Sequence, residues 1–238
     1  MNMKGKGFTL VELLIGMALS MIILVAGVEF FAQTRTLFFK LKDAEEDAQA
    51  VYSALDRIRL DLVRGGRGLK EAMDLGLVSA VDAGPEKLTI LSTEGARTLG
   101  QDLGPGSGRT VLDTTEGLRK GDGVCFLEGY RGEVRSVAAV EGNALILDLP
   151  VEAGYSADSC LVLPIERVTY YLGTPDRVVR RQVNSSPAQP LIEDVGNFRF
   201  SFDVPSNLAS VTLALAPHKE RIYEIQVFPK NAGLSPRR

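Results

Sequence analysis

An uncharged apolar stretch near the N-terminus constrains this chain more than any other feature. Residues 13–28 read LLIGMALSMIILVAGV and contain no charged side chain. With the apolar residues of 8–11 and 30–32, the stretch reaches the roughly 20 residues that a helix needs to cross a bilayer core. Lys4 and Lys6 precede it, so the positive-inside rule keeps the N-terminus in the cytoplasm. The stretch therefore predicts one membrane-spanning helix followed by an exported domain.

Two ordinary explanations of this stretch fit less well. A secretory signal peptide requires small residues in an A-x-A-like pattern after the apolar segment, and residues 26–34, AGVEFFAQT, match that pattern poorly. A plain membrane anchor accounts for the apolar residues but leaves Glu12 unexplained. A carboxylate inside an apolar helix costs about 2.5–3.5 kcal/mol on insertion scales, and by default it marks a functional position. Glu12 is therefore a candidate site residue that needs a cationic or proton partner.

Residues 7–14, GFTLVELL, follow a short basic leader and resemble the processing site of type IV prepilins. In that family a prepilin peptidase cuts after the glycine and N-methylates the new first residue. The resemblance implies cleavage between Gly7 and Phe8, removal of residues 1–7, and methylation of Phe8. It also supplies a partner for Glu12, because the family's glutamate at this place pairs with the N-terminal amine of a neighbouring subunit. A buried carboxylate is tolerable when it is paired with a cation.

The helical pattern continues beyond the membrane stretch. The first proline is Pro85, and apolar residues recur at alternating spacings of four and three from Leu37 to Leu62. This stripe predicts an amphipathic continuation of the helix over residues 33–64, packed on a core. A free coiled coil is less favoured, because Ala44 and Ala48 are small for coiled-coil positions. A glycine-rich turn after the stripe predicts the end of the helix.

Residues 65–238 predict a β-rich head. Alternating patterns indicate strands over 87–92, 122–128, 133–140, 144–149, 160–163, 167–172, 177–183, 197–203, 210–216 and 221–228. The pair Gly142-Asn143 predicts a tight hairpin turn, and residues 95–108 predict a loop. The predicted fold class is α+β: a long N-terminal helix, transmembrane in its first half, packed by its second half on an antiparallel β head.

Two stretches of the head carry a second, weaker resemblance. RVTYYLGTPDRVVRRQ at residues 167–182 and PLIEDVGNFRFSFD at residues 190–203 are similar to the head core of PilW-type minor pilins and J-type pseudopilins. Residues 84–163 show no such similarity and predict an inserted β subdomain.

The chain has two cysteines, Cys125 and Cys160. Both fall in predicted strands. Export places the head in an oxidising compartment, which favours a disulfide between them. Two buried free thiols that never meet are the alternative.

Charge and motifs favour a structural protein over an enzyme or a nucleic-acid reader. The chain has 27 basic and 30 acidic residues, and no clustered basic face is evident for binding nucleic acid. The single histidine, His218, stands in a predicted turn, whereas a catalytic site must assemble several polar groups. No zinc-ligand spacing, phosphate-binding glycine loop or calcium loop occurs, so no metal or cofactor is expected.

The resemblance implies a minor pilin that builds or primes a type IV pilus-like filament for motility, adhesion or DNA uptake. A pseudopilin of a type II secretion system shares the same chemistry, and a single-pass anchored envelope β domain is the third interpretation. The implied partners are other pilin or pseudopilin subunits, the prepilin peptidase, the inner-membrane assembly platform and membrane lipid. The implied location is the inner membrane for the precursor, then a periplasmic or cell-surface filament.

Overall fold

A long helix, α1, spans Leu10–Arg64 in the computed structural model, which describes residues 9–216 and 221–234. Its 55 residues contain no proline, so no backbone hydrogen bond is removed inside the helix. The prediction of one helix over residues 8–64 is confirmed for the described part of that range. The chain divides into two units, Met1–Ala50 and Val51–Arg238.

In the second unit, one face of α1 is buried. The buried residues of the helix are Val51, Ala54, Leu55, Ile58, Asp61 and Leu62. Spacings of three, four and seven place them on one side of the helix, as an amphipathic pattern requires. The predicted apolar stripe is confirmed for this part of α1, whereas Leu37 and Leu41, which belong to the first unit, are exposed.

Glycines end α1. Gly66 has a φ of 78°, in the left-handed region that favours glycine, and its amide donates to the carbonyl of Leu91 at 2.8 Å. A Cβ on Gly66 would lie 3.0 Å from the Cβ of Ala80 and 3.1 Å from the backbone nitrogen of Ala232. The turn is therefore also a close contact between three segments of the chain. A short helix, α2, follows at Lys70–Asp74.

The described residues of the second unit form two antiparallel sheets. The strands are β1 (Val81–Ala83), β2 (Lys87–Ser92), β3 (Arg97–Thr98), β4 (Arg109–Val111), β5 (Gly123–Glu128), β6 (Arg131–Glu141), β7 (Ala144–Leu147), β8 (Leu161–Gly173), β9 (Val178–Val183), β10 (Gln189–Ile192), β11 (Val195–Asp203), β12 (Leu208–Leu215) and β13 (Tyr223–Val227). The large sheet has the order β1-β2-β8-β5-β6-β7-β4, with β3 and β9 also pairing with β8, and β10 with β9. The small sheet has the order β11-β12-β13. The α+β prediction is thus confirmed.

Local patterns predicted most of these strands. β2 matches its predicted range, and the β6–β7 hairpin turns at Gly142-Asn143, where Gly142 has a φ of 58°. The strands predicted at 160–163 and 167–172 are one strand, β8, and that part of the prediction is wrong. The buried side chains that β8 contributes to the core beneath α1 shift from odd positions, Leu163 and Ile165, to even positions from Val168, which interrupts the alternation in the sequence. The sequence also missed α2, β1, β3, β4 and β10, which have five residues or fewer.

The second unit contains two hydrophobic cores. The first joins the buried face of α1 to α2 and to strands of both sheets. The second lies among residues 99–162, where the ring of Phe126 stacks on that of Tyr155 with centroids 5.6 Å apart. Residues 84–163, predicted as an inserted subdomain, contribute to both cores, because Leu88 and Ile90 of β2 pack in the first.

The predicted disulfide between Cys125 and Cys160 is corrected by the structure, in which both thiols are free and buried. Cys125 packs in the first core and Cys160 in the second, so the two side chains leave opposite faces of the sheet. Cys125 pairs with Leu163 of β8, three residues along the chain from Cys160, which precedes the strand. Three residues of strand span about 10 Å, whereas disulfide-bonded Cα atoms lie within about 7 Å.

Candidate functional site

The first turn of α1 holds Glu12 in a local hydrogen-bonded cap. Thr9 precedes the helix, and its backbone amide and its hydroxyl each donate to Glu12 Oε2 at 2.9 Å. The Glu12 amide donates in turn to the Thr9 hydroxyl at 3.3 Å. This reciprocal pattern is a capping box, which satisfies amides that the first turn of a helix leaves unpaired. Within the residues that the structure describes, Glu12 thus has hydrogen-bond donors but no cationic partner.

Between Leu13 and Val28, the surface of α1 is apolar on all sides. None of residues 9–50 is buried. The exposed large hydrophobics up to residue 31 are Leu10, Val11, Leu13, Leu14, Ile15, Met17, Leu19, Met21, Ile22, Ile23, Leu24, Val25, Val28, Phe30 and Phe31. A helix that is hydrophobic all round requires an apolar environment, either lipid or other helices. In the described ranges, α1 is also the one helix whose length and composition would allow it to cross a membrane.

Two hydroxyls and one guanidinium of α1 in the first unit have partners within the helix. The hydroxyl of Ser20 donates to the carbonyl of Gly16 at 2.8 Å, and that of Thr36 donates to the carbonyl of Ala32 at 3.0 Å. Such bonds hide hydroxyls from an apolar environment. The guanidinium of Arg35 lies 5.6 Å from the centroid of the Phe39 ring, which is a cation–π distance. These three groups are therefore compatible with apolar surroundings.

The structure places the predicted site residues as follows. Glu12 lies in the first unit, at the start of α1. Gly7 and Phe8, the predicted cleavage pair, lie outside the described residues, as does His218. Cys125 and Cys160 belong to the second unit.

A buried polar cluster ties α1 to the large sheet, and the sequence analysis missed it. Tyr170 Oη of β8 donates to Asp61 Oδ2 at 2.5 Å, and Arg181 Nε of β9 donates to the same oxygen at 2.7 Å. Arg181 Nε also lies 3.2 Å from Tyr170 Oη. Asp61 is only 3% exposed. A buried charge is tolerable here because both partners reach it directly.

Burial raises the pKa of Tyr170, and its hydrogen bond to Asp61 raises the pKa further, so the phenol stays neutral and donates. Burial lowers the pKa of Arg181, but the hydrogen bonds and charges of Asp61 and Tyr170 together outweigh burial, so the pKa of Arg181 rises. The signal in the sequence was position: Asp61 follows Ile58 by three and Ala54 by seven, so it belongs to the buried face.

Metal chemistry has no support in the part of the chain that the structure describes. No group of three or more His, Cys, Asp or Glu side chains there is arranged to hold a metal ion. What the arrangement offers instead is an apolar helix with one capped carboxylate, followed by a β-rich unit.

A family model matches the N-terminal part of the chain. Residues 2–28 match the family described as the prokaryotic N-terminal methylation motif. The chain carries the prepilin-type methylation signal. This signal is that of type IV pilins and pseudopilins, which are structural proteins, and it implies processing by a prepilin peptidase and assembly with other pilin subunits. The prepilin resemblance of residues 7–14 is thereby confirmed.

Comparisons over the rest of the chain add little. No curated protein matches the sequence. Among solved structures, the gp54 tailspike of Acinetobacter baumannii bacteriophage AP22, in complex with A. baumannii capsular saccharide, matches 32% of this chain at 20% identity and a TM-score of 0.28. The tailspike gp49 of Pseudomonas phage LKA1 matches 29% at 21% identity and a TM-score of 0.25. The chain spans 15% and 14% of the lengths of these two proteins, and scores this low define no shared fold.

Proposed function

We propose that this protein is a minor pilin, a structural or priming subunit of a type IV pilus-like filament. One observation carries the proposal. The methylation motif over residues 2–28 coincides with the uncharged, exposed helical surface over residues 13–28. A helix with this surface must be covered, and a prepilin-type signal indicates that neighbouring pilin helices cover it once it leaves the lipid.

Processing starts the proposed sequence of events. The precursor is held in the inner membrane by the helix, with residues 1–7 as a basic leader in the cytoplasm. Prepilin peptidase cuts between Gly7 and Phe8 and methylates the new amine of Phe8. The capping box of α1 survives this cut, because Thr9 keeps the amide and the hydroxyl that donate to Glu12.

Assembly uses the pair that the cut creates. Residues 8–32 move from lipid into a bundle of neighbouring helices, guided by the inner-membrane assembly platform. Lipid tails are as apolar as the side chains, so this transfer gains little hydrophobic free energy, and packing must stabilise the bundle. The methylated amine of a neighbouring subunit then pairs with Glu12, which offsets the cost of burying both charges.

The remainder of the chain suits a low-copy subunit. Residues 33–64 continue the helix, and residues 65–238 form the head. The second unit contains two hydrophobic cores and two sheets. A subunit that is repeated along a whole filament would have to accommodate a head of this size at every repeat. A place near the filament tip removes the need to fit many identical heads side by side.

Deletion of the chain, with and without complementation, tests this proposal in cells that carry both a type IV pilus and a type II secretion system. We expect fewer surface filaments after deletion and recovery on complementation, with the chain present in the sheared-filament fraction. Normal filaments with failed secretion of exoproteins would contradict the proposal and assign the chain to the secretion system as a pseudopilin. No change in either, with the chain only in membranes, would leave an anchored β domain.

A further inference from the structure

A groove of about 710 Å³ lies on one face of the large sheet. Its floor includes Thr169 and Tyr171 of β8. Their neighbour Tyr170 bonds to Asp61 of α1, and side chains alternate along a strand, so the floor is the face that α1 does not cover. The volume falls in the range of about 300–1,000 Å³ that small-ligand sites occupy.

The floor of the groove is a ladder of hydrogen-bonding side chains. Thr89 is paired with Asp82 of β1 on one side and with Thr169 on the other, and Thr169 is paired with Gln182 of β9. These four side chains form a row across four strands, about 14 Å long at about 4.8 Å per strand. Tyr171 adds an aromatic ring beside the row. A hydroxyl and a side-chain amide can each donate and accept hydrogen bonds, so the row offers donors and acceptors together.

Two cations border this row. Lys87 faces Tyr171 in the register, and Arg167 faces Leu91, so they lie about 7 Å to either side of the row at about 3.3 Å per residue. Neither side chain has a hydrogen bond or an ion pair among residues 9–216 and 221–234. The neighbouring Arg180 and Arg181, by contrast, pair with Asp176 and Asp61. The lining contains one carboxylate, that of Asp82, so the two cations leave the groove with a net positive charge, which favours a ligand that carries negative charge.

We propose that this groove binds an acidic polysaccharide. Hydroxyls of the sugar would bond with Thr89, Thr169 and Gln182, its carboxylates would pair with Lys87 and Arg167, and Asp82 would accept from a sugar hydroxyl. An apolar end wall, made by Leu77, Val78, Val134 and Ile165, would contact the less polar faces of the rings.

An acidic peptide fits the groove less well. Extended peptides gain affinity by pairing their backbone with an open sheet edge. The floor lies between paired strands, where the backbone groups of β2 and β8 are already used. Recognition must therefore come from side chains, which favours a ligand that is itself covered in hydroxyls. This inference stands apart from the proposed filament, because every residue that it uses belongs to the second unit.

Calorimetry on the full chain tests the proposal. The chain is purified in a polyoxyethylene ether detergent, which avoids a sugar headgroup, and titrated with hexamers of galacturonate, alginate and hyaluronan. We expect at least one of them to bind, with an affinity that falls as salt rises. Neutral maltohexaose is expected to bind at least tenfold more weakly.

Two double variants supply the matched comparison. Lys87→Ala with Arg167→Ala is expected to weaken binding of the acidic sugar at least tenfold. Lys120→Ala with Arg199→Ala removes two exposed cations outside the groove and should leave the affinity unchanged. Thr89→Val with Thr169→Val keeps the shape of the floor and should weaken binding several-fold. The proposal would be overturned if none of the three acidic hexamers bound the natural chain. It would also be overturned if the Lys87→Ala and Arg167→Ala double variant bound the acidic sugar as tightly as the natural chain, or if a hexaglutamate peptide bound more tightly than the sugars.

Discussion

At the scale of single residues, the two thiols show how burial controls reactivity. Burial raises the pKa of Cys125 to about 12 and that of Cys160 to about 11, so neither is ionised at neutral pH. The thiolate is the reactive form. We therefore predict that the native chain resists iodoacetamide at about pH 8, and that unfolding without reductant allows both cysteines to react.

Mass spectrometry of the alkylated chain checks this prediction. Two carbamidomethyl groups are expected after unfolding, and none before it. If the unfolded chain took up no reagent until a reductant was added, the two cysteines would be joined by a disulfide. That result would contradict the separation of the thiols on opposite faces of the sheet.

Glu128 shows the opposite effect on a carboxylate. The guanidinium of Arg131, the hydroxyl of Ser159 and the amide of Ser156 donate to it and lower its pKa to about 2. A lowered pKa stabilises the fold above the ordinary value of 4.5, and this contribution is lost as the pH falls towards 2. We predict that Glu128→Gln melts below the natural chain at about pH 6, and that the gap closes as the pH falls towards about 2.

Melting curves followed by circular dichroism in detergent measure this gap. Glu141→Gln, at an exposed ion pair with Arg109, is the matched control and should melt close to the natural chain at about pH 6. A difference in melting temperature that stays constant from about pH 6 to about pH 2 would show that the charge of Glu128 does not stabilise the fold.

At the scale of elements, Asp61 fixes α1 on the large sheet. Asp61→Ala would leave the buried Arg181 without its carboxylate, and breaking a buried pair typically costs about 3–5 kcal/mol of unfolding free energy. Tyr170→Phe removes one donor to this charged carboxylate and should cost about 1.5–3 kcal/mol. Asp56→Ala breaks an exposed pair with Arg59 in the same helix and should cost at most about 1 kcal/mol.

Denaturant unfolding of the full chain in detergent gives these free energies. The order expected is Asp61→Ala, then Tyr170→Phe, then Asp56→Ala. If Asp61→Ala costs no more than Asp56→Ala, the cluster does not hold the helix to the sheet.

The elements also show what the sequence can predict. α1, β2 and the turn at Gly142-Asn143 follow from patterns within a few neighbouring residues, and all three are confirmed. β8 was divided because the face that packs in the first core changes after Ile165, where its partner changes from β5 to β2. That change depends on strands far away in the sequence, so no local pattern contains it.

The same limit explains the errors about the sites. The spacing of Asp61 places it on the buried face of α1, but its partners on β8 and β9 lie 109 and 120 residues away in the sequence, so no local pattern indicates them. The opposite facing of Cys125 and Cys160 follows from the pairing of β5 with β8, which the sequence does not specify. Glu12, by contrast, was predictable as a candidate because a carboxylate at the edge of an apolar helix is costly by itself.

At the scale of the whole molecule, Glu12 should separate processing from assembly. We predict that Glu12→Ala is still cleaved, because the variant keeps Gly7 and Phe8, but that its amount in sheared filaments falls at least tenfold. The reason is that an amine buried among helices would lack its carboxylate. Asp43→Ala, an exposed carboxylate further along α1, is the matched control and should assemble normally. Equal amounts of the two variants in sheared filaments would contradict the role of Glu12 in assembly.

The most direct test of the account is the intact mass of the chain extracted from membranes of cells with and without a prepilin peptidase. We predict that the peptidase-containing cells yield a chain that lacks residues 1–7 and carries one added methyl group, whereas cells without the peptidase yield the full chain. An unprocessed chain in both, or a cut after the apolar segment, would contradict the proposed processing at Phe8 and the filament role that depends on it.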